Sequence, residues 1–357
     1  MMVFGIGGCT ALLLTGFGIK DSIKSITYNQ FDEIQINDMS VVFNDPWDEM
    51  DNSDFEEIMA DNAERYTLVF EESTDLTKDD KSKSLTLVIP EKAEDISSFL
   101  NLHTTRDVPI AFPGKGEVVL TEKLADKCGA GIGDMVTLQD DDMNTLELKV
   151  SGISENYVYN YAYISPETWT EQIGSAPEYK SAYINVKEEK DVHSVSAAVM
   201  NCDGVASVTV NADMKVRFSS MMKSLDYVVL LIIGCAGSLA FIVLYNLTNI
   251  NITERLREIA TIKVLGFYRR ETASYVFREN LVLTGIGAGV GLIMGRYLHQ
   301  FVMYNIDIDM IAFDVHIAPL SVLYSIVLTF VFAGIVDWAM NKKLDGINMA
   351  ESMKSVE

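Results

Sequence analysis

The residues best suited to chemistry in this 357-residue chain form a short charged segment between two long apolar stretches. The segment covers residues 249–267 and reads NINITERLREIATIKVLGF. Its charged side chains recur at helical spacing: Glu254, Arg255, Arg257, Glu258 and Lys263. Side chains three or four residues apart are neighbours on a helix, and Gly266 is a typical helix end. The pattern predicts ionic contact with another protein rather than catalysis.

An apolar stripe accompanies these charges along the same segment. It consists of Ile252, Leu256, Ile259, Ile262 and Leu265, whose spacing follows one face of a helix. Two interpretations are open. The segment is either an amphipathic helix at a membrane surface that offers its charged side to a partner, or an ordinary connector between two spans.

Motifs for catalysis and cofactor binding are missing from the sequence. No GxxxxGK[ST] loop occurs, and Gly114-Lys115-Gly116 lacks both its spacing and its hydroxyl residue. The four histidines have no motif around them, and no Cys or His spacing is typical of a metal site. At the acidic turn 140–142, a solvated turn is favoured over calcium binding. We therefore predict no enzymatic activity, no cofactor and no nucleic-acid partner.

Four stretches are apolar enough to cross a membrane, which takes about 20 residues. They lie at 2–19, 227–247, 281–302 and 318–336. A secretory signal peptide is the alternative for the first stretch, but it lacks a basic n-region and a clear cleavage site. We predict a membrane α-helical protein with four transmembrane helices and a large α+β extracytoplasmic domain inserted between helices 1 and 2.

Charge is distributed unevenly, and this predicts how the spans are oriented. Residues 21–223 contain 39 acidic and 17 basic residues, so they carry −22 of the chain's formal charge of −23. Six basic residues fall between 253 and 279, whereas the loop 304–317 has none. Because basic loops stay in the cytoplasm, the charged segment and the C-terminal tail are expected inside and the acidic block outside.

The predicted domain boundaries follow from the spans and the charge. Transmembrane helices are expected at 1–20, 224–248, 277–303 and 318–341, and the extracytoplasmic domain at 21–223. The remaining ranges are a cytoplasmic coupling helix or loop at 249–276, a short outer loop at 304–317 and a cytoplasmic tail at 342–357.

The acidic block has the mixed pattern of an α+β domain and is long enough for two subdomains. Strands are predicted at 66–70, 85–89, 117–120, 135–138, 145–153, 181–186 and 205–210, and helices at 94–100, 121–128 and 192–200. The last strand–helix–strand unit predicts a parallel pairing with a right-handed crossover. The very acidic stretch 45–61 is predicted to be a solvated helix or loop.

The third span is rich in glycines at helical spacing. Gly287, Gly291 and Gly295 are four residues apart, and Gly285 and Gly289 form a parallel series. Small residues at this spacing allow helix backbones to approach closely in lipid. We predict that these glycines pack against a neighbouring helix.

The charged segment closely resembles the signature loop of FtsX-like permeases, the MacB and lipoprotein-releasing type of ABC transporter. The matching pattern is Glu254-Arg255-x-x-Glu258-Ile259-Ala260-x-x-Lys263-Val264-x-Gly266, with Ala260 where the family usually has Gly. The stretch 117–169 is similar to the family's extracytoplasmic core domain. One span, a large outer domain and three further spans match the family's repeat, so the resemblance covers nearly the whole chain.

This resemblance implies a permease subunit that transmits the motion of a cytoplasmic ABC ATPase to the outer domain, for export, extraction or signalling. The alternative is a mechanotransmission regulator of an extracytoplasmic hydrolase or sensor kinase. The implied location is the bacterial plasma membrane, and the implied ATPase-coupling residues are those of the charged segment. Because the chain begins inside its first span, we expect the C-terminal repeat of a longer permease. Its further partners would be a second four-span repeat or permease copy, and membrane lipid.

Overall fold

The computed structural model describes residues 2–79, 81–140, 143–188, 191–254, 258, 261–262, 265, 269–306 and 311–345. The chain forms two compact units. The α+β unit comprises Ser25–Met221 and Ile308–Phe313, and the helical unit comprises Met1–Lys24, Met222–Asp307 and Asp314–Glu357. Among the described residues, four helices are long and apolar enough to cross a membrane, and the α+β unit falls between the first and the second of them in sequence. The predicted fold class is confirmed.

The helices and strands alternate along the chain as an α+β pattern requires. In order they are α1 (Met2–Tyr28), β1 (Met39–Phe43), α2 (Ser53–Asn62), β2 (Ala63–Lys78), β3 (Lys81–Pro90), β4 (Glu117–Thr121), α3 (Glu122–Cys128), β5 (Met135–Gln139), β6 (Thr145–Ser154), β7 (Tyr161–Tyr163), α4 (Pro166–Ile173), β8 (Ser181–Val186), α5 (Val192–Met200), β9 (Val205–Val210), α6 (Asn211–Glu254), α7 (Arg269–Asn305) and α8 (Pro319–Asp345). A π-helical turn, Asn29–Ile34, follows α1 directly.

Four strands of the α+β unit form an antiparallel sheet in the order β9-β1-β8-β2. Helices α2 and α5 cover one face, where Phe55 and Met59 meet Val195 and Val199 over the strand residues Val41 and Ile184. The connections β1-α2-β2 and β8-α5-β9 give the β-α-β-β-α-β arrangement of ferredoxin-like folds. The sequence between β2 and β8 is therefore an insertion into this sheet.

The predicted direct pairing of the strands at 181–186 and 205–210 is wrong. Strand β1 lies between them and is antiparallel to both, with Met39 opposite Ile184 on one side and Val210 on the other. The two strands are thus parallel without being neighbours. Strand β1 was not predicted; it has five residues, and its inward-facing residues include Met39, Val41 and Phe43.

The inserted strands close into a six-stranded barrel in the order β2-β3-β7-β4-β6-β5, because β2 pairs with both β3 and β5. Its interior is filled by fully buried side chains, including Leu76, Leu87, Leu120, Leu138 and Leu148. Strand β2 is 16 residues long and belongs to both the antiparallel sheet and the barrel. Its residues 63–69 pair with β8, and its residues 69–78 pair with β3.

Two short stretches, 94–100 and 45–61, differ from their predicted structure. Residues 94–100 were predicted to be a helix but form only a short 3-10 turn, Ile96–Ser98. Two serines in this stretch favour local hydrogen bonds over helix, and the Ser97 hydroxyl donates to the Glu94 carbonyl at 3.4 Å. The acidic stretch 45–61 does contain a helix, α2, but this helix is not simply solvated, because Phe55 is 1% exposed.

Candidate functional site

The charged segment begins inside α6: residues 249–254 are the last part of this helix, which ends at Glu254. Glu254 and Glu258 are both exposed. Ile252, two residues before the helix end, is instead 1% exposed and packs in an apolar cluster with Leu244, Val336 and Met340. The predicted contact residues Arg255, Arg257, Lys263 and Gly266 lie outside the described residues. The described part of the segment therefore combines an apolar anchor with exposed carboxylates.

A polar cluster links three helices of the helical unit. Asn280 of α7 donates from its side-chain nitrogen Nδ2 to Asp337 Oδ1 of α8 at 3.1 Å. The same nitrogen lies 3.4 Å from the hydroxyl oxygen of Thr248 in α6. Asn280 and Thr248 are buried, so these bonds satisfy polar groups that would otherwise be costly among apolar helices. This cluster could not be predicted from the sequence, because its members are far apart in the chain and none belongs to a motif.

Three of the five glycines of the third span lie against α1. A Cβ atom built on Gly291 would come within 2.6 Å of the Gly7 carbonyl oxygen and of Thr10 Cβ. One on Gly295 would lie 3.0 Å from Ala11. One on Gly287 would lie 2.8 Å from Ile6 Cβ. These positions have no room for a side chain, so the backbones of α1 and α7 approach closely here.

The other two glycines of that span differ from these three. Around a Cβ atom on Gly289, no described residue outside its own helix turn has an atom within 4 Å, and on Gly285 the nearest such atom is Phe330 Cζ at 3.8 Å. The two series that the sequence analysis grouped together therefore have different surroundings. The packing contact to α1 uses the series 287, 291 and 295.

One group of metal-ligand type occurs in the described residues, where the sequence predicted none. The ligand atoms of His103, Asp107 and Glu155 lie within 4.8 Å of one another. His103 Nδ1 is 3.1 Å from the Thr104 carbonyl oxygen and 3.5 Å from Glu155 Oε2. A carbonyl oxygen can only accept, so this contact favours the tautomer with the proton on Nδ1, which leaves Nε2 as the ring nitrogen of the metal-ligand type. Since Tyr157 also donates its hydroxyl to Glu155, we interpret the group as a hydrogen-bonded cluster.

Two family models match the chain, one in its N-terminal part and one in its C-terminal part. The model of the MacB-like periplasmic core domain matches residues 1–201, which is more than half of the chain. The model of the FtsX-like permease C-terminal region matches residues 230–348. No curated protein matches the chain in sequence.

Several solved structures are similar to the α+β part of the chain. The extracellular domain of the noncanonic ABC-type transporter YknZ from Gram-positive bacteria is 13% identical, with a TM-score of 0.33, over 48% of this chain and 99% of that one. The periplasmic region of MacB from Actinobacillus actinomycetemcomitans is 14% identical, with a TM-score of 0.34, over 52% and 94%. A domain of a permease protein from Porphyromonas gingivalis is 17% identical, with a TM-score of 0.28, over 46% and 82%.

The family assignment rests on the two sequence models and on the architecture. The first model covers the α+β unit up to residue 201, the second covers the last three long helices from residue 230, and they follow each other along the chain. Four apolar helices, with an α+β domain of the periplasmic type inserted after the first, fit both models. The chain belongs to the FtsX/MacB-type family of ABC transporter permeases.

Proposed function

We propose that this permease chain transmits the motion of a separate cytoplasmic ABC ATPase to the α+β unit, for export, extraction or signalling. It lies in the bacterial plasma membrane, with the α+β unit outside and the charged segment inside. ATP is bound and hydrolysed by the partner, because the sequence has no phosphate-binding loop.

The observation that carries this proposal is the continuity of α6. This helix starts at Asn211, directly after strand β9, and runs without interruption to Glu254 in the charged segment. Its 44 residues correspond to a length of about 66 Å, at 1.5 Å per residue. A displacement of its charged end can therefore pass along one hydrogen-bonded element to the α+β unit.

The end of α6 is attached to the other helices, which a transmitting element requires. Ile252 packs with Val336 and Met340 of α8, and the Thr248, Asn280 and Asp337 cluster joins the same three helices. A force on the exposed carboxylates would thus move α6, α7 and α8 together. Glu254, Arg255, Arg257, Glu258, Lys263 and Gly266 are the residues that we propose for the ATPase contact.

The helical unit also presents apolar surface for further membrane partners. Leu230, Ile293 and Trp338 are all more than half exposed. Such side chains suit lipid or another apolar helix. We therefore propose that a second four-span repeat or permease copy completes the transporter, with lipid around it.

Reversing the charge at position 258 should uncouple the partner ATPase. In Glu258→Lys, the exposed carboxylate becomes an ammonium group without a large change in helix propensity. If the carboxylate forms a desolvated ion pair with the ATPase, the loss is about 2–5 kcal/mol of contact energy. The measurement is permease-stimulated ATP hydrolysis in the purified complex, together with photo-crosslinking from position 258.

The matched control is Glu167→Lys, which makes the same charge change at an exposed position of α4. It should leave stimulation intact, because exposed surface charges contribute below about 1 kcal/mol. Full stimulation in Glu258→Lys, with no crosslink from any position in 254–263, would reduce the charged segment to an ordinary connector.

The proposed orientation predicts which positions are reached from outside the cell. Cys9, Cys128 and Cys202 are buried, so a Cys235→Ser background removes the exposed thiol. In intact cells, a membrane-impermeant maleimide should label Glu167→Cys and should label Glu258→Cys only after permeabilisation. Labelling of Glu258→Cys in intact cells would reverse the orientation and with it the ATPase contact.

A further inference from the structure

A cavity of about 180 Å³ lies in the α+β unit, on the sheet face opposite α2 and α5. This is far more space than a single water molecule needs. Its aromatic lining comes from separate parts of the chain: Phe31, Tyr159, Tyr161, Tyr183 and Phe218. Glu71 supplies a carboxylate, and none of the fourteen described lining residues is Lys, Arg or His. The cavity therefore combines aromatic walls with a single acidic side chain.

The sheet pattern explains why these side chains meet. Successive strand residues point to opposite faces, so Val69 and Glu71 of β2 share a face. Thr67 of β2 lies opposite Tyr183 of β8, which places Tyr183 on that same face. The hydroxyl of Tyr183 donates to Glu71 Oε1. The carboxylate thus accepts a tyrosine hydroxyl on a face whose cavity lining is aromatic and uncharged polar, with Gln35, Asn37, Ser40, Thr209 and Asn211 among its residues.

Glu71 has no cationic partner among the described residues, where its bonds come from the hydroxyls of Tyr183 and Ser181. Burial raises the pKa of Glu71 above its ordinary value, and the two hydroxyl donors lower it only in part. A desolvated carboxylate is stabilised most by an opposite charge at close range. The cavity therefore favours a positively charged occupant.

Aromatic rings surround the space next to this carboxylate. Phe31, from the π-helical turn, and Phe218, from the first turns of α6, have ring centroids 6.0 Å apart and an interplanar angle of 60°. Tyr161 stacks on Tyr163, with centroids 6.1 Å apart. Ring faces attract cations, and cages of several rings are the usual receptors for alkylated ammonium groups.

The wall at the cavity mouth is held in a strained conformation. Tyr159 is 49% exposed and has a φ of 62°, which non-glycine residues rarely adopt. Asn156 Nδ2 donates to the carbonyl oxygens of both Val158 and Tyr159 at 2.8 Å, and Gln30 donates to Asn156 at 3.0 Å. Such strain persists where surrounding bonds enforce it and often marks a binding site. Hydrogen bonds within the protein thus hold this part of the cavity wall in place.

We propose that this cavity binds a small organic cation, an ammonium group on an apolar body, with Glu71 as its counter-ion and the aromatic side chains around the apolar part. The site is independent of the ATPase contact and goes beyond the proposed transmission role. It gives the α+β unit a ligand specificity of its own.

Isothermal titration of the full chain in detergent tests this proposal with choline and with its uncharged carbon isostere, dimethylbutanol. Choline should bind, and dimethylbutanol should bind at least about tenfold more weakly, because it lacks the charge that Glu71 and the rings recognise. Equal binding of the two compounds, or no choline binding up to roughly 10 mM, would overturn the proposal.

Two variants locate the binding, with thermal unfolding as the check on folding. Glu71→Gln keeps the size and the bond from Tyr183 but removes the charge, so choline affinity should fall roughly 30-fold or more. Phe218→Leu keeps apolar volume but removes an aromatic ring. The affinity for choline should therefore fall roughly threefold to tenfold, and the affinity for dimethylbutanol should change little. Glu167→Gln is the matched charge control and should leave binding unchanged. Unchanged choline affinity in a folded Glu71→Gln variant overturns the proposal. If Glu71→Gln does not fold, the choline affinity of Phe218→Leu decides the proposal instead.

Discussion

Replacing Gly291 by leucine should separate α1 from α7 and sharply lower the thermal stability of the solubilised permease. A Cβ atom at this position already lies 2.6 Å from the backbone carbonyl oxygen of Gly7, which cannot rotate away as a side chain could. Overpacking costs about 1–3 kcal/mol in ordinary cores and more where backbone must move. The measurement is the midpoint of thermal aggregation, followed by size-exclusion chromatography of the heated protein.

The neighbouring glycine provides a control on the same helix. Gly289→Leu adds the same side chain at a position where no described residue outside its own helix turn has an atom within 4 Å of the new Cβ. It also makes the same gain in helix propensity and hydrophobicity. Its midpoint should stay at or above that of the unmodified protein. Equal midpoints for the two variants would show that close backbone approach at Gly291 contributes nothing to the assembly of the helices.

Truncating Phe55 to alanine should destabilise the α+β unit by about 3–5 kcal/mol, the usual cost of removing a buried ring. Phe55 is 1% exposed and makes edge contacts with Phe43 and Trp47 at centroid distances of 5.4 Å, and with Tyr66 at 5.9 Å. Its loss leaves a cavity beneath α2 that a helix anchored at both ends cannot close. Urea unfolding, followed by tryptophan fluorescence, measures the change.

Glu57→Ala is the appropriate comparison, because Glu57 lies on the same helix and is exposed. This variant removes a charged side chain without opening a cavity, and surface changes of this kind usually stay within about 0.5 kcal/mol. A similar stability for Phe55→Ala and Glu57→Ala would mean that α2 is a solvated appendage after all, as its acidic sequence suggested.

Strand positions in the barrel could be predicted from sequence, because alternation marks them. Strands β5 and β6 have inward leucines and valines at every second residue, and the structure places them within a residue or two of the prediction. Strand β1 escaped notice because MSVVF has only five residues, although Asn37-Asp38 before it and Asn44-Asp45-Pro46 after it are turn signals. Because β1 was not predicted, β8 was expected to be the neighbour of β9. Which strands are neighbours in a sheet depends on segments that are far apart in the sequence.

The charged segment and the cavity show the opposite limits of sequence reasoning. The segment has its residues together in sequence, so a pattern of charges alone could draw attention to it. The cavity brings Phe31, Glu71, Tyr161, Tyr183 and Phe218 together from five elements or turns, and each of them is an ordinary residue in its own stretch. A predicted strand register would have placed Glu71 on the same face of β2 as the buried Val69 and signalled a half-buried carboxylate.

The shared strand β2 imposes an order on folding. The barrel strands all lie between residues 69 and 163, so they can pair while the later chain is still being made. The sheet β9-β1-β8-β2 must wait, because Met39 pairs with Ile184 on one side and Val210 on the other. Pairings of such long sequence separation form slowly. Until β8 arrives, the first half of β2 has an unpaired edge next to a finished barrel, and edges of this kind invite pairing with other chains. The nascent permease is therefore most prone to aggregation after its barrel has formed and before its last strand is complete.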